Sequence, residues 1–523
     1  QIVMTYTETD NIIQIDGALP TTDKTGTVQL KAGEYFDFNV SSTIVGNVNI
    51  NYEISAKEVG ESTIAGSNIK LYLTKLNGSE EEPLMTPETY HEESEENTYT
   101  GRPAGEMSLY KGSMNSSENN NYRLRMYVDE NYNPQGDGGG LTFSVRINVY
   151  GLAGEKYVPE TTKTLLAANP VQEEKTNMFN YASNGSYLDM NAGGQQTNPE
   201  YITNGLYSAE DEDGVSYYFR GNVENNNVQF GEYLEDYYVY VIRGVGDGAI
   251  LAAFHDLASC EEYKKSDSLA SECLQEKLAS KGDKMYWKIV RVNGDGSLRL
   301  IYNGTSSSPS NSELASSFSV GYVPYNLKDN EPKYTGYTYD NGTDSFIKRE
   351  VDTWYQNTLG KSNYDRMVTS GRFCSDSSGY QEGSAFGSGN VFASMIRLGQ
   401  FLTGTSTANT PTLKCPSTSE SYGGSYRLKV GLITADELAL AGESSYVVGN
   451  SYLNSGEKNY WYWGMTPADF YGGSAYVWSE FDVLRNRNVR NPHAVRPVIN
   501  VTTNNGFASG DGTAQNPYIL NAE

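Results

Sequence analysis

The sequence lacks any apolar run long enough to cross a membrane, and it is poor in basic residues. The longest apolar stretch near an end, within Gln1–Met4, is far shorter than the about 20 residues of a membrane-spanning helix. Lys and Arg number 39 against 65 Asp and Glu, so the formal net charge is -26. Such a surface repels nucleic-acid phosphates and anionic lipids. We therefore expect no nucleic-acid partner and no membrane insertion of the mature chain.

Signatures of catalysis and of metal binding are also missing. The three histidines, His91, His255 and His493, lie far apart, and none belongs to an H-E-x-x-H motif or to a zinc-type cysteine pair. His493 is the most interesting of them, although a loop histidine is the simpler interpretation. The acidic segment Asp211–Asp213 lacks the rest of an EF-hand, which leaves calcium as a weak alternative to a solvated turn. The sequence therefore predicts no catalytic residue and no cofactor.

Cysteine is scarce but evenly numbered. The four cysteines are Cys260, Cys273, Cys374 and Cys415, and they form two near pairs without C-x-x-C spacing. This pattern favours two disulfides over a metal site and an oxidising, extracellular location. Because short loops close at the lowest entropic cost, we predict the pairs Cys260–Cys273 and Cys374–Cys415, with the two other connectivities left open. A first residue Gln1 without Met agrees with removal of a signal peptide.

Tyrosine and glycine are abundant, with 42 and 53 residues, and they supply strands and turns. The strands predicted for residues 1–155 are Gln1–Thr7, Asn11–Ile15, Thr27–Leu30, Tyr35–Val40, Val48–Ile54, Ile69–Leu73, Arg123–Val128 and Leu141–Tyr150. Between them, the Glu-rich segment Asn77–Asn97 should be an exposed loop. Short alternating strands joined by such loops predict an all-β sandwich or jelly roll.

The remaining chain divides into a connection and a mixed domain. Residues 156–200 contain Pro159, Pro170 and Pro199, with one short helix expected over Ala167–Met178. Residues 201–523 are predicted to be α+β. Their expected strands are Tyr217–Arg220, Tyr237–Arg243, Trp287–Val292, Leu298–Tyr302, Val495–Val501 and Pro517–Leu520. Their expected helices are Cys260–Ser280, Phe346–Leu359, Ser388–Phe401 and Gly431–Ala441, the last with a capping box from Thr434 to Glu437.

The second half resembles an uncharacterised family of bacterial exported domains, distantly similar to the C-type-lectin-like fold and to formylglycine-generating enzymes. Five blocks in a fixed order carry the resemblance: Tyr286–Tyr302, Gly431–Glu437, Trp461–Pro467, Val495–Ile499 and Gly510–Tyr518. The resemblance implies a lectin-like domain over about residues 205–520. It does not imply the enzyme's activity, because the paired cysteines that bind its metal have no counterpart after Cys415.

Large aromatic residues in these blocks predict a structural core. Trp287, Trp461, Trp463 and Trp478 would bury much apolar area at a low entropic cost. Arg496, held before Pro497, would reach back to loop carbonyls or to a carboxylate. We therefore interpret these residues as structural and not as ligand-binding.

The first half resembles the camelysin-type matrix-fibre proteins of Gram-positive bacteria. The resemblance lies in Leu30–Val40, Val48–Ile54 and Lys70–Thr74. It implies a jelly roll that polymerises by lending an N-terminal strand to the next subunit. The candidate inter-subunit strand consists of Ile2, Val3, Met4, Thr5, Tyr6 and Thr7. An ordinary first strand of the same domain is the alternative interpretation.

These expectations lead to two functional hypotheses of different classes. The first is a structural subunit of an extracellular filament or surface assembly, which polymerises head to tail with itself and displays the lectin-like domain on the bacterial cell surface. The second is a monomeric surface adhesin or glycan-binding module, with glycans or a host surface as partner. An enzyme such as a glycosidase ranks third.

Overall fold

The chain forms two compact units. The computed structural model describes residues 2–7, 12–16, 19–30, 35–46, 48–133, 141–180, 200–269, 271–309, 317–379, 390–398, 410–418, 420–445, 450–454, 460–502 and 506–520. Unit 1 spans Gln1–Val158, and unit 2 spans Pro159–Glu523. The residues predicted to form a separate connection therefore belong, from Pro159 onward, to unit 2.

Unit 1 consists of strands and one short helix, α1 (Asp23–Gly26). The strands are β1 (Ile2–Thr7), β2 (Ile12–Asp16), β3 (Pro20–Thr21), β4 (Tyr35–Ile44), β5 (Asn49–Glu58), β6 (Ile69–Asn77), β7 (Glu80–Pro83), β8 (Glu88–Thr89), β9 (Met107–Met114), β10 (Glu118–Asp129) and β11 (Thr142–Gly154). A 3-10 helix spans Gly66–Asn68.

These strands form two sheets that share one hydrophobic core. Sheet 1 has the order β1-β4-β10-β6-β7, with β3 on β10 and β8 on β6, and sheet 2 has the order β2-β11-β5-β9. In β5 the alternating residues Ile50, Tyr52, Ile54 and Ala56 are all buried, as period-two patterning requires. The Tyr52 hydroxyl lies 2.8 Å from that of Tyr122 in sheet 1, so a buried hydrogen bond joins the two sheets.

Several local predictions for unit 1 are wrong. Thr27–Leu30 is not a strand, because the preceding turn closes as α1, with the Gly26 N–H donating to Thr22 O at 2.8 Å. A Cβ on Gly26 would lie 2.6 Å from the Tyr127 ring, so only glycine allows this close approach. The predicted loop Asn77–Asn97 contains β7 and β8, and β9 was not predicted at all.

Unit 2 begins with helix α2 (Glu160–Ala168), so the helix predicted over Ala167–Met178 is misplaced. The prolines explain the difference. Pro159 occupies the N-cap, and Pro170 disfavours helical backbone at the residue before it. Leu165 of α2 is fully buried in the main hydrophobic cluster of unit 2. Residues 181–199 of the predicted connection lie outside the described residues.

Strands dominate unit 2. They are β12 (Gly205–Asp211), β13 (Gly214–Arg220), β14 (Asn227–Glu232), β15 (Tyr237–Arg243), β16 (Ile250–Phe254), β17 (Leu274–Ala279), β18 (Lys284–Val292), β19 (Leu298–Tyr302), β20 (Tyr322–Val323), β21 (Thr338–Tyr339), β22 (Thr343–Asp344), β23 (Val368–Thr369), β24 (Gly371–Ser375), β25 (Asn390–Val391), β26 (Gly424–Leu428), β27 (Val430–Gly431), β28 (Tyr462–Tyr471), β29 (Ser474–Glu480), β30 (Leu484–Asn488), β31 (His493–Ala494), β32 (Val498–Val501) and β33 (Tyr518–Ile519).

Two nine-stranded sheets contain most of these strands. Sheet 3 follows the order β12-β13-β18-β19-β32-β23, with β14 on β18, β33 on β14 and β27 on β32. Sheet 4 follows the order β17-β15-β16-β20-β31-β28-β29-β30, with β25 on β28. Two small pairs, β21-β22 and β24-β26, complete the set in the described residues.

The helices of unit 2 are short. After α2 they are α3 (Leu257–Ser266), α4 (Phe346–Asn357), α5 (Ala393–Arg397) and α6 (Ala435–Ala441), with 3-10 helices at Pro332–Thr335, Leu359–Lys361 and Asn363–Met367. The capping box predicted for α6 is confirmed. The long helix predicted over Cys260–Ser280 is wrong, because α3 ends at Ser266 and the chain returns as β17. Parts of the predicted helix Ser388–Phe401 lie outside the described residues.

Both units are mostly β-sheet, with 43% strand and 14% helix over the chain. The predicted multi-domain β-rich fold is thus confirmed at this level, and helices contribute less to the second half than the α+β prediction implies. Both predicted disulfides are confirmed, Cys260–Cys273 and Cys374–Cys415. They indicate an oxidising, extracytoplasmic environment.

Candidate functional site

Unit 2 contains a charged cleft where the end of β12, strands β18, β19 and β24 and the start of α6 meet. Its volume is about 40 Å³, enough for roughly three water molecules. Arginines and carboxylates line it, together with the Cys374–Cys415 disulfide. The ion pairs of this cleft decide what it can do.

Glu437 is the centre of the inner ion pairs. The capping box of α6 fixes it: its backbone N–H donates to Thr434 Oγ1 at 3.1 Å, and its Oε2 accepts from the Thr434 N–H at 3.0 Å. Its Oε1 lies 3.0 Å from Arg291 Nε and 2.5 Å from Arg299 Nε. Burial alone would raise the pKa of Glu437, but the two guanidinium groups outweigh burial and hold this pKa below its usual range.

Arg291 also contacts Asp211, at 2.9 Å from Nη1 to Oδ2. Asp211 accepts two further hydrogen bonds, from the N–H groups of Gly294 and Asp213, each at 2.8 Å. Its oxygens are therefore occupied by donors. In the part of the chain that the structure describes, no group of three or more His, Cys, Asp or Glu residues is arranged to hold a metal ion. The calcium alternative at Asp211–Asp213 thus has no ligand set there.

An outer layer of ion pairs surrounds these residues. Arg372 makes a bidentate pair with Asp213, at 2.9 and 3.1 Å. Arg397 bridges Asp376 and Asp436, at 2.8 and 2.7 Å. Each of these buried or half-buried guanidinium groups has a carboxylate partner, and removing one partner would leave a charge without compensation. The cleft therefore braces strand ends and α6 against each other, and its arginines are paired with its own carboxylates.

Three of the four tryptophans predicted as core lie in the core. Trp287, Trp463 and Trp478 are fully buried, and each indole N–H donates a hydrogen bond, to Phe230 O at 2.7 Å, to Val323 O at 2.8 Å and to Ser394 Oγ at 2.9 Å. Buried tryptophan requires such a partner for its N–H.

Trp461 corrects the prediction. It is only partly buried and is not part of the main hydrophobic cluster, because it precedes β28 and packs on side chains near the end of sheet 4. Its ring stacks on Phe481, with centroids 5.2 Å apart, and the Arg487 guanidinium lies 3.7 Å from its centroid.

Arg496 reaches a backbone carbonyl, one of the two partners expected for it. Its Nε donates to Tyr302 O at 3.0 Å, and its Nη2 donates to Asn303 Oδ1 at 3.2 Å. The guanidinium also lies 4.8 Å from the ring centroids of Phe318 and Tyr462. Burial lowers the pKa of Arg496, and these contacts fix its side chain inside unit 2.

The histidines remain separate. His91 is exposed in unit 1. His255 is buried, with Nδ1 3.0 Å from the Tyr237 hydroxyl, and burial lowers its pKa to about 3. His493 is not a loop residue: it lies in β31, opposite Val323, and it is 7% exposed. No side chain among the described residues hydrogen-bonds its ring nitrogens, while the Pro492 backbone lies against the ring. Burial, followed by the charge of Arg487, lowers its pKa to about 3.

Three buried carboxyl groups of unit 2 were not predicted from the sequence. Burial raises the pKa of Glu350 to about 7, of Glu443 to about 8 and of Asp469 to about 7. Glu350 could have been found, because it falls four residues after Phe346 and four before Trp354 on the buried face of α4. No comparable spacing marks the other two.

The candidate inter-subunit strand lies within its own unit. Residues 2–7, as β1, pair antiparallel with β4 from Ile2↔Ile44 to Thr7↔Asn39. Met4 and Tyr6 are half-buried against the core of unit 1. A Cβ on Gly151 would lie 2.5 Å from Met4 Cε, so glycine makes room for this side chain. The predicted strand Ile2–Thr7 is present as β1 and pairs with β4 of its own chain. Its placement between subunits stays a prediction.

Comparisons with protein-family models, with curated proteins and with solved structures found no match to this chain. Among the described residues, no helix is both long enough and apolar enough to cross a membrane.

Proposed function

We propose that this protein is a non-enzymatic, exported bacterial cell-surface protein that acts as a monomeric adhesin or glycan-binding module. In this proposal unit 1 is a jelly-roll support and unit 2 is a C-type-lectin-like recognition domain. The ligand is a glycan or another component of a host surface.

The observation that carries the proposal is the position of β1. All six of its residues pair with β4 of the same chain, and the Met4 side chain packs against Gly151. The Tyr6 ring packs edge-on against Phe38, with centroids 5.6 Å apart. A donor strand needs an incomplete sheet in the neighbour that receives it. Sheet 1 is instead completed by the chain itself, which favours a protein that works without polymerising.

The other features agree with export and recognition. Two disulfides fit an oxidising compartment. A net charge of -26 favours solubility outside a cell. The lectin-like assignment of unit 2 rests on the order of its sequence blocks, and the burial of Trp287, Trp463 and Arg496 agrees with the structural role given to those blocks.

The substitution Met4→Asp tests the proposal directly. If β1 belongs to its own sheet, a carboxylate packed against Gly151 should lower the melting temperature of unit 1. Both the wild type and the variant should be monomeric in size-exclusion chromatography. Thr5→Asp, at the exposed neighbouring position, is the control and should leave the melting temperature unchanged. Wild-type filaments that disappear in Met4→Asp without loss of thermal stability would overturn the proposal.

A filament or surface-layer subunit is the second candidate, and the edge position of β1 favours it. Within the described residues β1 has β4 on one side and no strand on the other. The groove that holds it would accept the same strand from a second copy in the same register. Thr5 and Ser41 are direct partners across β1 and β4. A mixture of Thr5→Cys and Ser41→Cys chains should form a disulfide-linked dimer if strands exchange, and it should stay unlinked if they do not.

A further inference from the structure

The last strand of sheet 4 separates its polar residues by face. In β30 the side chains of Asn486 and Asn488 bind carboxylates, Asp469 at 3.1 Å and Asp329 at 2.8 Å. Arg485 and Arg487 alternate with them and therefore lie on the opposite face. Their direct partners on β29 are the small or apolar residues Ser479 and Val477. Strand geometry thus places two arginines side by side at a sheet end without a charged neighbour across the strand.

Aromatic rings hold one of these arginines in place. The Arg487 guanidinium lies 3.7 Å from the centroid of Trp461, a position that favours a cation over the ring face. Trp461 in turn stacks on Phe481 with an interplanar angle of 25°. We call Arg485, Arg487, Trp461, Phe481 and His493 the arginine patch. The Arg487 guanidinium is positioned by its contact with the Trp461 ring, which leaves its N–H groups available to a ligand.

Neither arginine has a carboxylate partner among the residues that the structure describes. Among the described residues, no Asp or Glu oxygen lies within 4.0 Å of Arg485 or Arg487, although acidic residues outnumber basic ones by 65 to 39. In the charged cleft of the same unit, by contrast, Arg291, Arg372 and Arg397 each have at least one partner. Two neighbouring guanidinium groups repel each other, and a bound anion would relieve that repulsion.

His493 lies close to Trp461 and Trp463. Its ring centroid lies 4.5 Å from that of Trp463 and 6.4 Å from that of Trp461. The side chain is buried, and no side chain among the described residues hydrogen-bonds its ring nitrogens, while the Pro492 backbone lies against the ring. A neutral imidazole can both donate and accept a hydrogen bond, so a second partner such as a sugar hydroxyl can still bind to it.

We propose that the arginine patch binds the carboxylate of an acidic sugar within a glycan, with Arg485 and Arg487 forking onto the carboxylate and His493 hydrogen-bonding a sugar hydroxyl. This rests on the proposed function and names the ligand class of the recognition domain. The carboxylate suits the planar guanidinium fork. The strongly negative chain repels densely charged polyanions such as nucleic acids, so the ligand is a glycan with isolated acidic residues.

The test measures binding to the full oxidised chain by isothermal titration calorimetry. The probes are a neutral oligosaccharide that carries one hexuronate residue, an oligosaccharide that carries one sialic acid residue, and the form of each in which the carboxyl group is reduced to an alcohol. Comparing the two acidic probes shows whether the bound carboxylate belongs to a hexuronate or to a sialic acid. We expect at least one acidic probe to bind, its neutral form to bind at least about tenfold more weakly, and affinity to fall with added salt.

Variants assign the binding to the patch. Arg485→Gln and Arg487→Gln should each weaken binding at least about tenfold, and the double variant should abolish it. Arg366→Gln is the matched control, because Arg366 is exposed in the same unit and is not in an ion pair with any described residue. The melting temperature of each variant should match wild type, so that loss of binding is not loss of fold.

The outcomes are distinguishable. Acidic probes that bind equally well to Arg485→Gln, Arg487→Gln and wild type would overturn the patch and leave glycan binding intact. Equal affinity for acidic and neutral probes would do the same. No binding of any probe would overturn both the patch and the glycan-binding function.

Discussion

In unit 1 the buried carboxylate of Glu53 lies 2.6 Å from Arg102, whereas in unit 2 the buried carboxylate of Glu350 is in no ion pair among the described residues. The same contrast appears for Glu81, which pairs with Arg125 at 2.6 Å, and for the buried Glu443, which is in no ion pair among the described residues. In unit 1 these carboxylates are thus held by ion pairs, whereas in unit 2 burial raises the pKa of Glu350 to about 7 and of Glu443 to about 8.

Unit 2 repeats the contrast internally. Its charged cleft pairs Arg291 and Arg299 with Glu437, while Arg485 and Arg487 face no carboxylate among the described residues. Charges that are mutually satisfied hold a fold together and do not recognise a ligand. Unpaired charges held by rings are the ones that a ligand can use.

The largest effect should come from breaking the pair in unit 1. Arg102→Ala leaves Glu53 buried without its cation and should cost about 3–5 kcal/mol of the free energy of unfolding of unit 1. Urea unfolding followed by circular dichroism measures the loss. Asp37→Asn, which breaks the more exposed pair with Arg123, is the control and should cost about 0–1 kcal/mol. Equal costs for the two variants would show that burial does not determine how much these ion pairs contribute to the free energy of unfolding.

In unit 2 the two neighbouring tryptophans should respond differently. Trp463→Ala removes a fully buried ring and its hydrogen bond and should cost about 3–5 kcal/mol. Trp461→Ala should cost clearly less, because its ring is partly exposed and lies outside the main cluster. Thermal unfolding of unit 2 in both variants provides the measurement. Equal losses of stability would show that Trp461 belongs to the core.

Glu350 in unit 2 and Glu81 in unit 1 should contribute to stability with opposite dependence on pH. The pKa of Glu350 is raised to about 7, so the folded state holds the proton more tightly than the unfolded state. Its contribution is therefore present at low pH and lost as pH rises from about 4.5 through about 7, on the order of 3 kcal/mol in full. Hydrogen bonds from Arg125, followed by further contacts, lower the pKa of Glu81 to about 2, so its contribution is lost as pH falls below about 4.

The substitution Glu350→Gln tests whether Glu350 lowers the stability of unit 2 as pH rises. Its free energy of unfolding should fall less between pH 5 and pH 9 than that of the wild type, measured by urea unfolding of unit 2. Glu235→Gln, at an exposed position, should keep the wild-type slope. An identical pH dependence in Glu350→Gln and in the wild type would contradict the raised pKa of Glu350.

The smallest effect should be found in the arginine patch. Arg487→Gln should change the free energy of unfolding by less than about 0.5 kcal/mol, because it removes a repulsion with Arg485 along with its ring contact. A loss above about 2 kcal/mol would show that Arg487 is structural. The contrast between the paired arginines of the charged cleft and the arginine patch would then no longer hold.

Much of the fold could be predicted from the sequence where local patterns and final structure agree. The predicted strands Tyr237–Arg243 and Leu298–Tyr302 have the bounds of β15 and β19. Thr434 and Glu437 stand at capping-box spacing, and short loop lengths favour the observed disulfide pairs. These signals depend only on residues near each other in the sequence.

The remaining features depend on partners that are distant in sequence. Leu274–Ala279 has a helix-forming composition, yet pairing with β15 makes it a strand. Trp461 and Trp463 stand two residues apart in one aromatic block, and only packing separates core from surface. The alternation of Arg485 and Arg487 was visible in the sequence, but the lack of carboxylates around them could be seen only in the structure.

The molar mass of the full chain by light scattering, at increasing protein concentration, tests the central claim that this is a self-complete monomer. We predict the mass of one chain at every concentration, because β1 already completes sheet 1. A mass that grows with concentration, and that returns to one chain in Met4→Asp, would contradict the claim and make strand exchange between copies the function of β1.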